Sequence, residues 1–279
     1  MRSPIAGASV LITGAASGIG KELALSAAHR GATQVIIWDI DAEAAHAVVR
    51  EIQSFGGSAT AYRVDLADPA HVAAAGEETI AAYGRVDILI NSAGIVTGKE
   101  FLDLTEEDIT RTFNLNVFAL YRVTKVFLPG MIARGKGSIT AITSAAGLIG
   151  VARQTDYSAS KFAATGFIES LRAELRHRGT PLHTLNVQPF YVNTGMFDGV
   201  NTRIPLLLPI LDVDDVAAKI LDAIESGRQS LVLPRFAALI KVAKILPVPV
   251  LDRVLDLFGI NATMDHFRGR AASRPAPED

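Results

Sequence analysis

Short β-branched or aromatic runs alternate along the chain with longer segments whose apolar positions recur every three to four residues. The runs are Ser9–Thr13, Gln34–Trp38, Thr60–Val64, Ile88–Asn91, Ser138–Thr143, His183–Val187 and Ser230–Leu233, and they read as strands. Between them, Ile19–His29, Ala42–Phe55, Pro69–Tyr83, Glu106–Ala133, Tyr157–Arg178 and Val213–Ser226 carry apolar stripes at helical period. Strict alternation of the two kinds predicts βαβ units with right-handed crossovers. The expected fold is therefore α/β, a doubly wound seven-stranded parallel sheet with helices on both faces. Pro69 suits the first turn of its helix, and Gly31 and Gly179 suit positions just past a helix end.

Two stretches break this rhythm. Residues 190–211 are long, apolar and interrupted by proline where a compact domain has a short connection, which predicts a functional lid. Residues 235–270 form an apolar extension, and 271–279, small, polar and Pro-containing, are expected to be disordered. No internal repeat divides the chain. The reading is one domain over 1–279 with its core in 5–234.

Composition narrows the function. Of 279 residues 49% are hydrophobic and 20% charged, enough to bury a substantial core. A net charge of −2 with no block of like charges argues against nucleic acid as a partner. There is no cysteine, and the six histidines are scattered without metal-ligand spacing, so no metal is expected. Met1 to Pro4 leave no room for a signal peptide ahead of the first apolar run, so a cytoplasmic location is expected. A transmembrane span is not expected either, because Phe236 to Leu251 is broken by Lys241, Lys244, Pro247 and Pro249.

Candidate chemistry begins at Thr13, where the first strand runs into Gly14, Ala15, Ala16, Ser17, Gly18, Ile19 and Gly20. Glycines here allow a tight turn and close approach of a pyrophosphate to a helix N-terminus whose N–H groups favour an anion. Asp39 ends the second strand 19 residues after Gly20, where a carboxylate accepts from ribose hydroxyls and repels a 2′-phosphate. Neither Ile40 and Asp41 nor Ala15 and Ala16 supply a cation for such a phosphate. The cofactor expected is NAD. Tyr157 and Lys161 stand four apart on one helical face, able to meet the same ligand.

The Gly-x-x-x-Gly-x-Gly spacing, with Ser144 placed 13 residues before Tyr157-x-x-x-Lys161, resembles the short-chain dehydrogenase/reductase family on the Rossmann fold. That resemblance implies adenine contacts from Asp65 and Leu66. It places Asn91, Ser92, Ala93 and Gly94 on the family's Asn-Asn-Ala-Gly stretch, with Asn91, Ala93 and Gly94 at the cofactor and Asn91 open to a purely structural role. It also implies Asn116, Ser144, Tyr157 and Lys161 as the catalytic set, Asn114 and Thr143 being the neighbouring alternatives to Asn116 and Ser144. Tyr157 is then the acid/base. Lys161 holds the nicotinamide ribose, and its ammonium is expected to lower the phenol pKa. Ser144 steadies the substrate oxygen. Pro189, Phe190, Val192 and Thr194 match the Pro-Gly-x-Val-x-Thr stretch that cradles the nicotinamide amide, with Phe190 replacing the glycine.

Thr194–Gly199, Lys244–Pro247 and Met264–Arg270 look like the branch holding retinol dehydrogenases and microsomal hydroxysteroid dehydrogenases. This implies a lipophilic or bulky alcohol or carbonyl as substrate, and the family implies a homodimer or homotetramer. Phe236–Leu246 is open to peripheral membrane contact with Lys241 and Lys244 snorkelling, or to packing within or between subunits. Two other readings share the fold: an NAD(H)-binding regulatory protein, and an epimerase or dehydratase. No Gly-x-Ser-x-Gly elbow or P-loop supports hydrolase or nucleotidase chemistry.

Overall fold

A computed structural model describes residues 3–180 and 182–270; the tail for which disorder is expected lies outside the described residues. The strands are β1 (Ser9–Thr13), β2 (Gln34–Asp39), β3 (Ala59–Arg63), β4 (Ile88–Asn91), β5 (Ser138–Ile142), β6 (His183–Pro189) and β7 (Ser230–Leu233). They form one seven-stranded sheet in the order β3-β2-β1-β4-β5-β6-β7, and every neighbouring pair is parallel. The order reverses between β1 and β4. Chain segments leaving these two strands diverge to opposite sides, which opens a crevice at their carboxyl ends.

Alternation along each strand divides the core. Val10 and Ile12 of β1 join Val35, Ile37 and Ile88 in one buried layer. Leu11 joins Ile36, Trp38 and Leu89 in the other. Helices α1 (Gly18–His29), α2 (Ala42–Ser54) and α7 (Val213–Ser226) cover the first layer. The second is covered by α3 (Pro69–Tyr83), α5 (Ala119–Arg134) and α6 (Thr155–His177). Each such Leu or Ile side chain contributes about 1.5–3 kcal/mol by leaving water.

The stretch expected as one helix over Glu106–Ala133 is divided. It consists of α4 (Glu106–Phe113), a π-helical turn at Asn114–Phe118, and α5. Glu106–Arg134 contains an 18-residue window of mean hydropathy 1.2, long and apolar enough by length and composition to cross a membrane. Its apolar side chains Leu120, Val123, Phe127 and Met131 are buried against the sheet, and that packing accounts for the hydropathy.

Residues 190–211 do not stand alone over the crevice. An extension with short helices α8 (Ile240–Ala243) and α9 (Val248–Leu257) folds back upon them. Leu208 shares a buried cluster with Ile149, Ala237 and Ile260. Backbone bonds from Asn201 N to Thr263 O (3.2 Å) and from Arg268 N to Asp198 O (2.8 Å) fasten the two segments.

Candidate active site

The crevice holds a cleft of about 650 Å³ running from the loop after β1 to the segment after β6. At its β1 end, Gly14 has φ +68°, and an added Cβ would stand 2.7 Å from Ala93 Cα. The same atom on Gly20 would overlap the Gly14 carbonyl. Only glycine lets the strand turn into α1 this tightly. Ser17 caps α1 without a side-chain bond to the helix, and the first turn carries no acidic residue. The leading N–H groups of α1 are thus available to an anion from outside the chain.

Asp39 braces this loop. Its Oδ2 accepts from Ala16 N (2.9 Å) and its Oδ1 from Asp41 N (3.0 Å). A carboxylate has about four lone-pair sites, so acceptor capacity remains toward the cleft, which Asp39 and Ile40 both line. Asp65 and Leu66 follow β3 on the same wall, and Ala93 and Gly94 follow β4. The residues present fit a dinucleotide: a glycine cradle, uncapped helix N–H groups and a carboxylate.

At the other end, Tyr157 and Lys161 project from the first turns of α6, and both are buried. Ser144 opens the turn after β5; its Oγ accepts from Ala146 N (3.1 Å), and its hydroxyl donates toward Pro189 O (3.5 Å). The Thr143 hydroxyl instead donates to Asn186 Oδ1 (2.7 Å) and Val187 O (2.8 Å), tying β5 to β6. Of the two neighbouring hydroxyls, Ser144 is the one turned to Tyr157.

Burial pushes the Tyr157 phenol above its ordinary pKa, with the Ser144 hydroxyl pulling the other way and Tyr191 adding to the rise. Burial alone lowers Lys161 to about 8. The expected lowering of Tyr157 by Lys161 does not appear in this geometry. The ammonium stands 5.5 Å from the centre of the phenol ring and donates to Ile142 O (3.1 Å), so desolvation dominates.

Pro189, Phe190, Val192 and Thr194 line the cleft beside Ile19, Ser17 and Gly18. Two expected residues do not reach it. Asn91, the last residue of β4, is buried between Thr13 of β1 and Ala141 of β5 and does not line the cleft. Asn116 lies in the π turn, where Oδ1 accepts from Ile95 N (2.8 Å) and Nδ2 donates to Ile95 O (2.9 Å) and Ser160 Oγ (3.0 Å). It pins the strand-β4 loop to α6 one residue away from Lys161. A Cβ on Gly94 would stand 3.2 Å from both Asn116 Oδ1 and Lys161 Nζ.

Residues 8–204 match the family described as short chain dehydrogenase. The chain belongs to that family. Among curated proteins, epidermal retinol dehydrogenase 2 of Mus musculus is 41% identical over 276 residues, covering 96% of this chain and 88% of the relative. Among solved structures, a short chain dehydrogenase/reductase from Burkholderia phymatum in complex with NAD has a TM-score of 0.78 and 26% identity, covering 87% of this chain and 94% of that one. A 7 alpha-hydroxysteroid dehydrogenase complexed with NADH and 7-oxo glycochenodeoxycholic acid has a TM-score of 0.76 and 31% identity, covering 83% and 94%. As a short-chain dehydrogenase, the protein is an oxidoreductase acting on CH–OH groups.

Three further residues shape this short-chain dehydrogenase site without being singled out by motif. Asp156, buried beside Tyr157, accepts from Thr97 Oγ1 (2.9 and 3.0 Å) and Thr112 Oγ1 (2.8 Å), holding the β4 loop, α4 and α6 together. Tyr191 donates or accepts at Thr263 Oγ1 (2.8 Å) and accepts from Gln154 Nε2 (3.2 Å), linking the cleft wall to the extension. Phe197 packs edge-on to Tyr157 at 5.8 Å and to Tyr191 at 5.0 Å. A sequence carries a hint of the aromatic pair only in the crowding of Phe190, Tyr191 and Phe197 after β6.

Proposed function

We propose that this protein oxidises a bulky lipophilic alcohol to the carbonyl with NAD, using Tyr157 as the group that takes and returns the hydroxyl proton. The observation that carries this reading is the position of Tyr157 and Ser144. They sit where a cleft that fits a dinucleotide at one end becomes apolar at the other, with Ile149, Val151, Phe190, Met196, Phe197 and Ile260 as walls. When bound, NAD supplies the hydride acceptor.

The chain's own residues do the rest. Gly14, Ser17, Gly18, Ile19 and Gly20 would hold the diphosphate, Asp39 the adenosine ribose, and Asp65 and Leu66 the adenine end. The Asp39 carboxylate favours NAD, because a 2′-phosphate would meet its negative charge. Ser144 and Tyr157 hydrogen-bond the substrate oxygen and fix it for proton transfer at the phenol oxygen. Lys161 contributes positive charge when protonated and a ribose contact. Asn116 and Asp156 act through position, keeping the β4 loop against α6.

Retinoid-like and steroid-like alcohols fit the apolar walls, and the similar proteins include a retinol dehydrogenase and a hydroxysteroid dehydrogenase. Phe118, Tyr121 and Phe162 are exposed aromatics on α5, α6 and the π turn, which supports a homo-oligomer formed through these helices. Ile245 and Val248, exposed beside Lys241 and Lys244 on the extension, support contact of that edge with a lipid surface.

The test is to titrate NAD and NADP, then follow reduced-cofactor absorbance with retinoid, steroid and long-chain alcohols, with Tyr157→Phe as control. NAD-dependent turnover of at least one class, lost in the variant, is the expected result. Turnover that survives loss of the phenol would overturn the assignment of Tyr157, and NAD binding without turnover of any alcohol or carbonyl would overturn the activity.

A further inference from the structure

The last described residues cross the mouth of the cleft. Arg268 N and Gly269 N both donate to Asp198 O, at 2.8 and 3.2 Å, so the backbone is held on the segment after β6. From there Arg270 reaches back to the glycine loop. Its Nη1 donates to Ser17 Oγ (2.8 Å) and its Nη2 to Thr194 O (3.3 Å). A Cβ on Gly18 would stand 3.5 Å from Nη2. The guanidinium therefore lies over the first turn of α1, bridging the two sides of the cleft.

The charge balance at that end makes this placement meaningful. Asp39 and Asp65 line the same wall, while the other cations lining the cleft among the described residues are Arg111 on α4 and Lys161 in the interior. A helix N-terminus carries only about half a unit of positive charge, and a dinucleotide's diphosphate carries two negative charges. Guanidinium has five N–H donors in a planar fork, of which the two contacts above occupy two.

We propose that Arg270 is a cofactor-binding residue that clamps the diphosphate of the dinucleotide against the α1 N-terminus, closing the cleft from the C-terminal extension. Its present contacts with Ser17 and Thr194 mark the place where phosphate oxygens are met. Because the arginine is carried by a segment fastened to residues 190–211, cofactor binding draws the extension and the substrate wall together. The inference rests on the dinucleotide reading of the cleft.

Calorimetric titration of the full chain with NAD, ADP-ribose, NADP and adenosine, comparing wild type with Arg270→Gln and Arg270→Lys, tests it. Charge-assisted hydrogen bonds of this kind predict that Arg270→Gln weakens NAD and ADP-ribose by roughly tenfold or more, leaves adenosine unchanged, and keeps the melting temperature without ligand. Lysine should restore part of the loss, and the difference between wild type and Gln should shrink in high salt. Unchanged NAD affinity in Arg270→Gln, an equal loss for adenosine, or a loss confined to NADP would each overturn the proposal. A wild type that binds none of the dinucleotides would sink the dinucleotide reading itself, so the two failures are told apart.

Discussion

Lys161 Nζ stands over the ring of Tyr157, 5.5 Å from its centre, and gives its hydrogen bond to Ile142 O rather than to the phenol. Two buried groups of opposite acid/base habit thus share one pocket without a direct bond. Burial raises the phenol pKa and lowers the ammonium to about 8. Near neutrality the phenol holds its proton, which suits donation toward a carbonyl; alcohol oxidation needs that proton gone.

The rate of oxidation should therefore climb with pH through and above 8, while carbonyl reduction, fed by a phenol that keeps its proton over this range, should stay nearly level. Tyr157→Phe should lower turnover by about 10²- to 10⁴-fold, the usual contribution of a positioned acid/base, with NAD affinity little changed. Steady-state kinetics in both directions from pH 6 to 10 would check this; a flat oxidative profile would contradict it.

Lys161 also leaves a mark on stability. The unfolded chain keeps this amine protonated up to its ordinary pKa of 10.5, whereas the folded chain releases the proton near 8. Between those values the unfolded state binds more protons, so stability from this group rises with pH across the window and the cost is fully present below 8. That cost is on the order of 3 kcal/mol at neutrality. Lys161→Met removes it but leaves the Ile142 carbonyl unpaired, at about 1–3 kcal/mol. The expected signature is thus a slope: relative to wild type, the variant gains stability as pH falls from 10.5 to 8, measured by denaturant melts without cofactor.

Much of this molecule was legible in its sequence because parallel strands buried on both faces leave apolar runs that hardly depend on context. Val10, Leu11 and Ile12 needed no structure to be placed, and Gly14, Gly18 and Gly20 announce a turn that other residues cannot make. The π turn at Asn114–Phe118 is not legible, since one added residue in a helical turn leaves apolar spacing nearly unchanged, and the spacing predicts a continuous helix through Asn116. Four-residue spacing put Tyr157 and Lys161 on one face but said nothing of where the ammonium would point. Tyr191 and Arg270 gain their roles from partners 72 and 253 residues away in the chain, contacts that no local pattern encodes.

Asp39 should govern cofactor choice. Its two oxygens brace the glycine loop through Ala16 and Asp41, and its charge faces the cleft. Asp39→Ser keeps a small polar group but removes the repulsion and one ribose acceptor. The ratio of NADP to NAD affinity should rise by about tenfold or more, a change of about 1.4 kcal/mol. NAD affinity itself should weaken. Titration with both cofactors reads the ratio directly, and equal losses for the two would show that the carboxylate only supports the loop.

Tyr191 should control how firmly the extension closes the substrate end. Its buried hydroxyl meets Thr263 Oγ1 and Gln154 Nε2, while its ring packs on Phe190 at 4.6 Å and Phe197 at 5.0 Å. Tyr191→Phe keeps the ring and removes the link, leaving two polar partners to find other bonds, at about 0.5–1.5 kcal/mol of stability. Since Phe197 also touches Tyr157, loosening this wall should raise KM for a bulky alcohol more than it lowers kcat, and amide exchange should quicken around Ile260–Ala262. Thr263→Val, which removes the link from the other side, should reproduce both effects. A fall in kcat with KM unchanged would instead place Tyr191 in the proton-transfer machinery.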